Sequence, residues 1–164
     1  MTWQLLQSEL AATLRDLPDE GFVIVEATRP AGREVRRRRL SGLLPGTRAT
    51  QQPYVQLLRV QDRLRGECVG SERTGGTFPL TDAEHQQILA LGWVVPDREP
   101  FICPNYEREW PAYDAGPAAA EQAATEQGAA EQGAAEQAAA IAVRTLRDVF
   151  GCPRPEDVIV RIGH

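Results

Sequence analysis

A chain of 164 residues with 42% apolar and 25% charged side chains is the size of one ordinary domain with its own core, and is neither disordered nor fibrous. No apolar run approaches the ~20 residues that span a bilayer, and MTWQLLQSEL has neither a basic region nor a small-residue cleavage site, so the expected address is the cytoplasm. The net charge of −5 hides an asymmetry: Arg29 to Arg48 holds seven arginines against one glutamate, +6 locally, leaving −11 for the remainder. All eighteen basic residues are arginine, which beside so much alanine and glycine reads as coding bias rather than arginine chemistry.

Trp3, Leu6, Leu10, Leu14 and Leu17 recur at helical steps, with Thr2 placed to cap and Pro18 to stop, and predict an amphipathic helix over about residues 2–16. Turn chemistry at Pro18-Asp19-Glu20-Gly21 leads into a β-branched run, Phe22 to Thr28, which predicts a strand. Residues 33–44, REVRRRRLSGLL, place their arginines side by side rather than on one face, and suit a solvated edge strand. Tyr54 to Val60, a turn at Gln61-Asp62-Arg63, and Leu64 to Gly70 predict an antiparallel hairpin. Thr81 with Glu84 three residues on is a capping box, and Gly92 closes the short second helix that it opens.

Between Trp93 and Pro117 lie five prolines and the aromatics Trp93, Phe101, Tyr106, Trp110 and Tyr113, which predict a strap packed across the surface with one short extended piece. Glu121, Glu126, Glu131 and Glu136 then repeat every five residues, so on a helix the charges spiral and no face stays apolar. Alanine, glutamate and glutamine favour helix, and no breaker separates the tract from the amphipathic stretch carrying Ala138, Ala142, Leu146 and Val149. Residues 118–140 therefore read as a low-complexity extension of a long final helix, filler more than machinery. Val158 to Ile162 reads as a last strand or an apolar tail. The whole is one α+β domain over 1–164: an antiparallel sheet of four or five strands, an N-terminal helix, a short middle helix and a long C-terminal helix, with an arginine-rich insertion at 29–52.

Catalytic signatures are missing from the sequence: no GxSxG, Walker loop, HExxH or Rossmann glycines. The loop Gly70 to Gly76 lacks the helix-opening lysine of a phosphate loop, and His85 and His164 read as packing or surface residues. Cys68, Cys103 and Cys152 are odd in number and widely spaced, which predicts reduced thiols and no zinc motif. No catalytic residue, metal or cofactor is expected. The run Arg36, Arg37, Arg38, Arg39 is the one stretch suited to an anionic ligand or nucleic acid, although the rest of the molecule carries −11 and aromatics do not interleave with the arginines.

Gly21 to Ala27, Pro53-Tyr54-Val55-Gln56, Glu67-Cys68-Val69-Gly70, Leu89 to Trp93 with Pro96, Pro104-Asn105-Tyr106, and Ala142 to Gly151 together resemble the actinobacterial TY-Chap N-terminal domain. That family is grouped with YbjN proteins and type III secretion chaperones. The resemblance spans nearly the whole chain, with the insertion at 29–52 and the Ala/Glu/Gln tract as departures. It implies a chaperone-like fold and a non-enzymatic peptide- or protein-binding module with a polypeptide partner, able to form a homodimer and needing no cofactor or membrane. Tyr54, Trp93, Tyr106 and Trp110 are the candidate partner contacts. Binding of an anion or nucleic acid through Arg33–Arg39 is the alternative.

Overall fold

The computed structural model describes residues 1–28, 31–37, 47–97, 105–111 and 123–164. Helix α1 (Trp3–Arg15) starts where Thr2 predicts, with the Thr2 hydroxyl accepting from the Leu5 amide at 3.1 Å. Leu6, Leu10, Ala11 and Leu14 are its buried stripe. At its far end the Arg59 guanidinium donates to the Leu14 and Arg15 carbonyls at 3.3 and 3.4 Å, satisfying acceptors that have no partner inside the helix.

The strands are β1 (Phe22–Ala27), β2 (Arg33–Arg37), β3 (Thr47–Gln51), β4 (Tyr54–Val60), β5 (Arg63–Cys68), β6 (Tyr106–Pro111) and β7 (Val158–Gly163). Five of them form one antiparallel sheet in the order β6-β5-β4-β1-β7, while β2 and β3 pair separately as a ribbon. Residues 33–44 were expected as one edge strand. The structure places Arg33–Arg37 in a strand paired with Thr47–Gln51, and residues 38–44 lie outside the described residues. The proline-aromatic strap contributes β6, whose Tyr106 and Trp110 point into the core. Phe101 and Tyr113 lie outside the described residues.

Alternation sorts the sheet into two faces. Val23, Val25, Ala27, Val55, Leu57, Leu64, Cys68, Tyr106 and Trp110 form the buried one. Gly66 sits in its middle because a Cβ there would lie 2.7 Å from the Trp110 ring and 3.1 Å from Trp93. Those two indoles meet edge to face over it, centroids 6.0 Å apart.

Helix α2 (Asp82–Ala90) has the predicted capping box, and Gly92, at φ +85°, closes it. The Gly92 and Trp93 amides donate back to the Leu89 and Ile88 carbonyls, the paired closure that a left-handed residue permits. Helix α3 (Ala123–Arg144) contains most of the low-complexity tract; residues 118–122 lie outside the described residues. From Gly133 onward the tract is not filler: Ala134, Ala135, Ala138 and Ala139 are buried beside Ala142, and α3 packs against α1. The five-residue spiral stops at Glu136, which pairs with Arg15 of α1 at 2.7 Å. The short side chains let the two helices approach closely. The chain continues as a π-helical turn, Thr145–Val149. Buried Thr145 donates to the Ile141 carbonyl at 2.7 Å and accepts from the Trp93 indole at 2.9 Å, bonds that tie the widened turn to the core.

Candidate functional site

A sheet edge exposes backbone donors and acceptors, and the two edges here are treated differently. On β6, Glu107 exchanges hydrogen bonds with Val94 at 2.8 and 2.9 Å, so the odd-numbered residues of that strand face outward. The next outward positions are Glu109 and Pro111, and proline has no N–H to offer. Arg108 donates to the Leu91 carbonyl at the end of α2 and lies 5.2 Å from the centre of the Trp110 ring. This edge is blunted by a bridge, a charge and a proline.

The opposite edge, β7, has no such cover among the described residues. The Thr28 amide donates to the Asp157 carbonyl at 2.7 Å, which fixes the phase of the ladder. Ile159, Arg161 and Gly163 therefore bond β1, and Val160 and Ile162 turn their N–H and C=O groups away from the sheet, while the Val158 amide donates back to the Pro155 carbonyl. Ile159, Val160 and Ile162 are 42, 38 and 58% exposed. The strand contains no proline, and its one charge, Arg161, is engaged by Glu26 at 2.8 Å.

The second face of the sheet is half-buried and mixed. Phe22, Ile24, Tyr54, Gln56, Leu58, Arg65, Glu67 and Glu107 share it. Gly163 lets the Phe22 ring lie across β7, since a Cβ there would be 2.4 Å from the ring. Arg65 reaches Glu107 at 2.8 Å, and the Tyr54 hydroxyl accepts from the Asn105 amide at 3.1 Å.

Of the four aromatic residues expected to touch a partner, Trp93, Tyr106 and Trp110 are core residues and Tyr54 is half-buried. Tyr106 centres a buried polar cluster: its hydroxyl lies 3.0 Å from the Ser71 hydroxyl and 2.8 Å from His85 Nδ1. Ser71 Oγ also accepts the Arg73 amide and so caps the 3-10 turn Glu72–Thr74. Serine and imidazole are each tied to the phenol, an arrangement that satisfies buried groups rather than primes a nucleophile. Burial pushes the Cys68 and Cys152 thiols up, away from the reactive thiolate. Cys103 lies outside the described residues.

In the arginine-rich segment, Arg33 is committed to structure. It donates to both Glu84 carboxylate oxygens at 2.9 and 2.5 Å and to the Pro79 carbonyl at 2.5 Å, with its guanidinium 5.2 Å from the centre of the Phe78 ring. Glu84 closes the capping box with the same carboxylate, accepting from the Thr81 amide at 2.8 Å. The hydrogen bonds from Arg33 lower the Glu84 pKa from 4.5 to about 2. Arg36 and Arg37 occupy β2 opposite Arg48 and Thr47, while Arg38 and Arg39 lie outside the described residues.

An exposed sheet edge or a groove beside the final helix was the expected mode of binding, but no residue of β7 was among the expected contacts. Its signal was legible in Val158-Ile159-Val160, a β-branched run with neither proline nor unpaired charge to protect it.

Compared with known proteins, residues 1–162 match the family model described as T3SS (YopN, CesT) and YbjN peptide-binding chaperone 3, TY-Chap3. No curated protein and no solved structure matches the chain.

Proposed function

The chain belongs to the TY-Chap3 family of peptide-binding chaperones, and from that premise we propose that it holds an extended polypeptide segment along β7, as a non-enzymatic module. The carrying observation is the contrast between edges: β6 is bridged and ends in proline, whereas β7 presents the backbone groups of Val160 and Ile162 to an incoming strand. Strand addition draws affinity from main-chain hydrogen bonds and selectivity from alternate side chains. Val160 and Ile162 fall on the helical side of the sheet and Ile159 on the open side, so both faces of an added strand meet apolar groups. Of the four aromatic residues expected as contacts, Tyr54, half-buried on the open face two strands away, is the one outside the core.

The buried free thiols Cys68 and Cys152 suit a reducing compartment, and we assign the protein to the cytoplasm on that ground. A second copy is the competing occupant of the edge. A two-fold axis at Val160 would set Val158 against Ile162 and keep the two Arg161 side chains apart.

Val160→Pro tests the reading, because the N–H it deletes faces outward and the ladder to β1 keeps its bonds. Soluble peptides alternating valine with threonine should bind the wild-type protein, and the variant should bind about tenfold more weakly or worse in fluorescence anisotropy. Equal binding by the two proteins would remove β7 from the function.

A further inference from the structure

We propose that the Phe22 ring, lying over Gly163 at the β7 edge, is a specificity subsite for one aromatic side chain of the bound polypeptide; the inference rests on the strand-addition reading of β7 and names what the added strand carries. The register sets rows of side chains across the open face of the sheet. Leu58, Phe22 and Gly163 form one row, Gln56, Ile24 and Arg161 the next, and Tyr54, Glu26 and Ile159 the third. Each row ends on β7. A strand added there extends each row by one residue, because its side chains alternate between the same two faces.

The row of Phe22 ends on a residue without a side chain, and Phe22 itself takes the space over Gly163. A Cβ on Gly163 would lie 2.4 Å from Phe22 Cζ, 2.8 Å from Cε1 and 2.9 Å from Cε2, the atoms at the far end of the ring. The ring therefore reaches from β1 across β7 and brings its edge to the rim of the sheet. An aromatic laid across a glycine on the neighbouring strand is one way to pin a sheet edge. Phe22 is half-buried on the open face and stands outside the hydrophobic core.

The edge of such a ring is its positive rim, and the group that complements it is the negative face of a second ring, with centroids about 4.5–7 Å apart. Gly163 also offers the incoming strand the closer phase of the ladder. Its own N–H and C=O bond β1, so the Cα of an antiparallel ligand residue opposite it comes within about 4.5 Å, and the absent Cβ leaves room for a large side chain. The nearest charge on β7 is turned away. Arg161 reaches Glu26, which stands opposite Ile159 in the register, so its guanidinium leans along β7 away from Gly163. With Leu58 behind the ring, the row is apolar from β4 to the rim.

The experiment uses the full-length chain and three soluble peptides that alternate valine with threonine and differ at one central threonine, which is kept or replaced by leucine or phenylalanine. Leucine and phenylalanine gain similarly from burial, so the difference between them reports the ring. The phenylalanine peptide should bind about three- to tenfold more tightly than the leucine peptide in fluorescence anisotropy. Phe22→Leu should bring those two level and leave the threonine peptide unchanged. Gly163→Ala, whose methyl group pushes the tip of the ring aside, should lose the same preference. Val160→Pro should weaken all three peptides together, so failure of strand addition appears as unchanged affinities in that variant, and failure of the subsite as a missing preference alone. Equal binding of the leucine and phenylalanine peptides by the wild-type protein, or a preference that survives Phe22→Leu or Gly163→Ala, would overturn the proposal. Should Phe22→Leu not fold, the wild-type comparison and Gly163→Ala decide the matter.

Discussion

Glu84 serves two elements with one carboxylate, capping α2 through Thr81 and holding β2 through Arg33. Its pKa falls from 4.5 to about 2 on folding, so its contribution is complete above pH 4.5 and is lost as pH drops toward 2. Urea titrations should show stability declining through that window in the wild-type protein, and Glu84→Gln should flatten the decline. At neutral pH the same substitution should cost about 1.5–3 kcal/mol, the usual worth of hydrogen bonds to a charged group. Gly66 is a sharper steric test. A methyl group there meets the Trp110 ring at 2.7 Å with Trp93 close behind, and both indoles are buried. Gly66→Ala should lower stability by about 1–3 kcal/mol through overpacking, measured by the same titration.

At the scale of elements, α3 makes the opposite prediction at Gly133. Nothing lies within 4 Å of a Cβ placed there, and the residue is inside a helix. Gly133→Ala should stabilise by about 1 kcal/mol and raise Tm by about 2–4 °C in calorimetry, since only helix propensity changes. Elements written in local chemistry were legible from sequence: the Thr2 cap, the Thr81–Glu84 box, the Gly92 closure and the β4–β5 hairpin are each specified within a few residues. Strands defined by distant partners were not. β3 has only Thr47–Gln51 to announce it, and β6 is hidden among prolines until β5 supplies its ladder. The tract misled because alanine gives almost no hydrophobic contrast. The stripe Ala134, Ala135, Ala138, Ala139, Ala142 became visible only once α1 lay against it. The same long-range packing accounts for the aromatics: Trp93, Tyr106 and Trp110 look like surface anchors in a proline-rich segment and prove to be core.

Across the described residues, α1 and α3 pack over one face of a five-stranded sheet, a bridged proline-ended strand closes one edge, and at the other the backbone groups of Val160 and Ile162 turn outward. An apolar edge of this kind invites pairing, and the account holds that the strand it receives is a polypeptide ligand. Hydrogen exchange of the full-length protein, with and without a saturating valine-threonine peptide, tests that claim most directly. The account predicts slowed exchange at the Val160 and Ile162 amides, with Glu109 on the opposite edge unchanged. Unaltered exchange at those two amides in the bound state, or protection confined to β6 or to the ribbon, would contradict it.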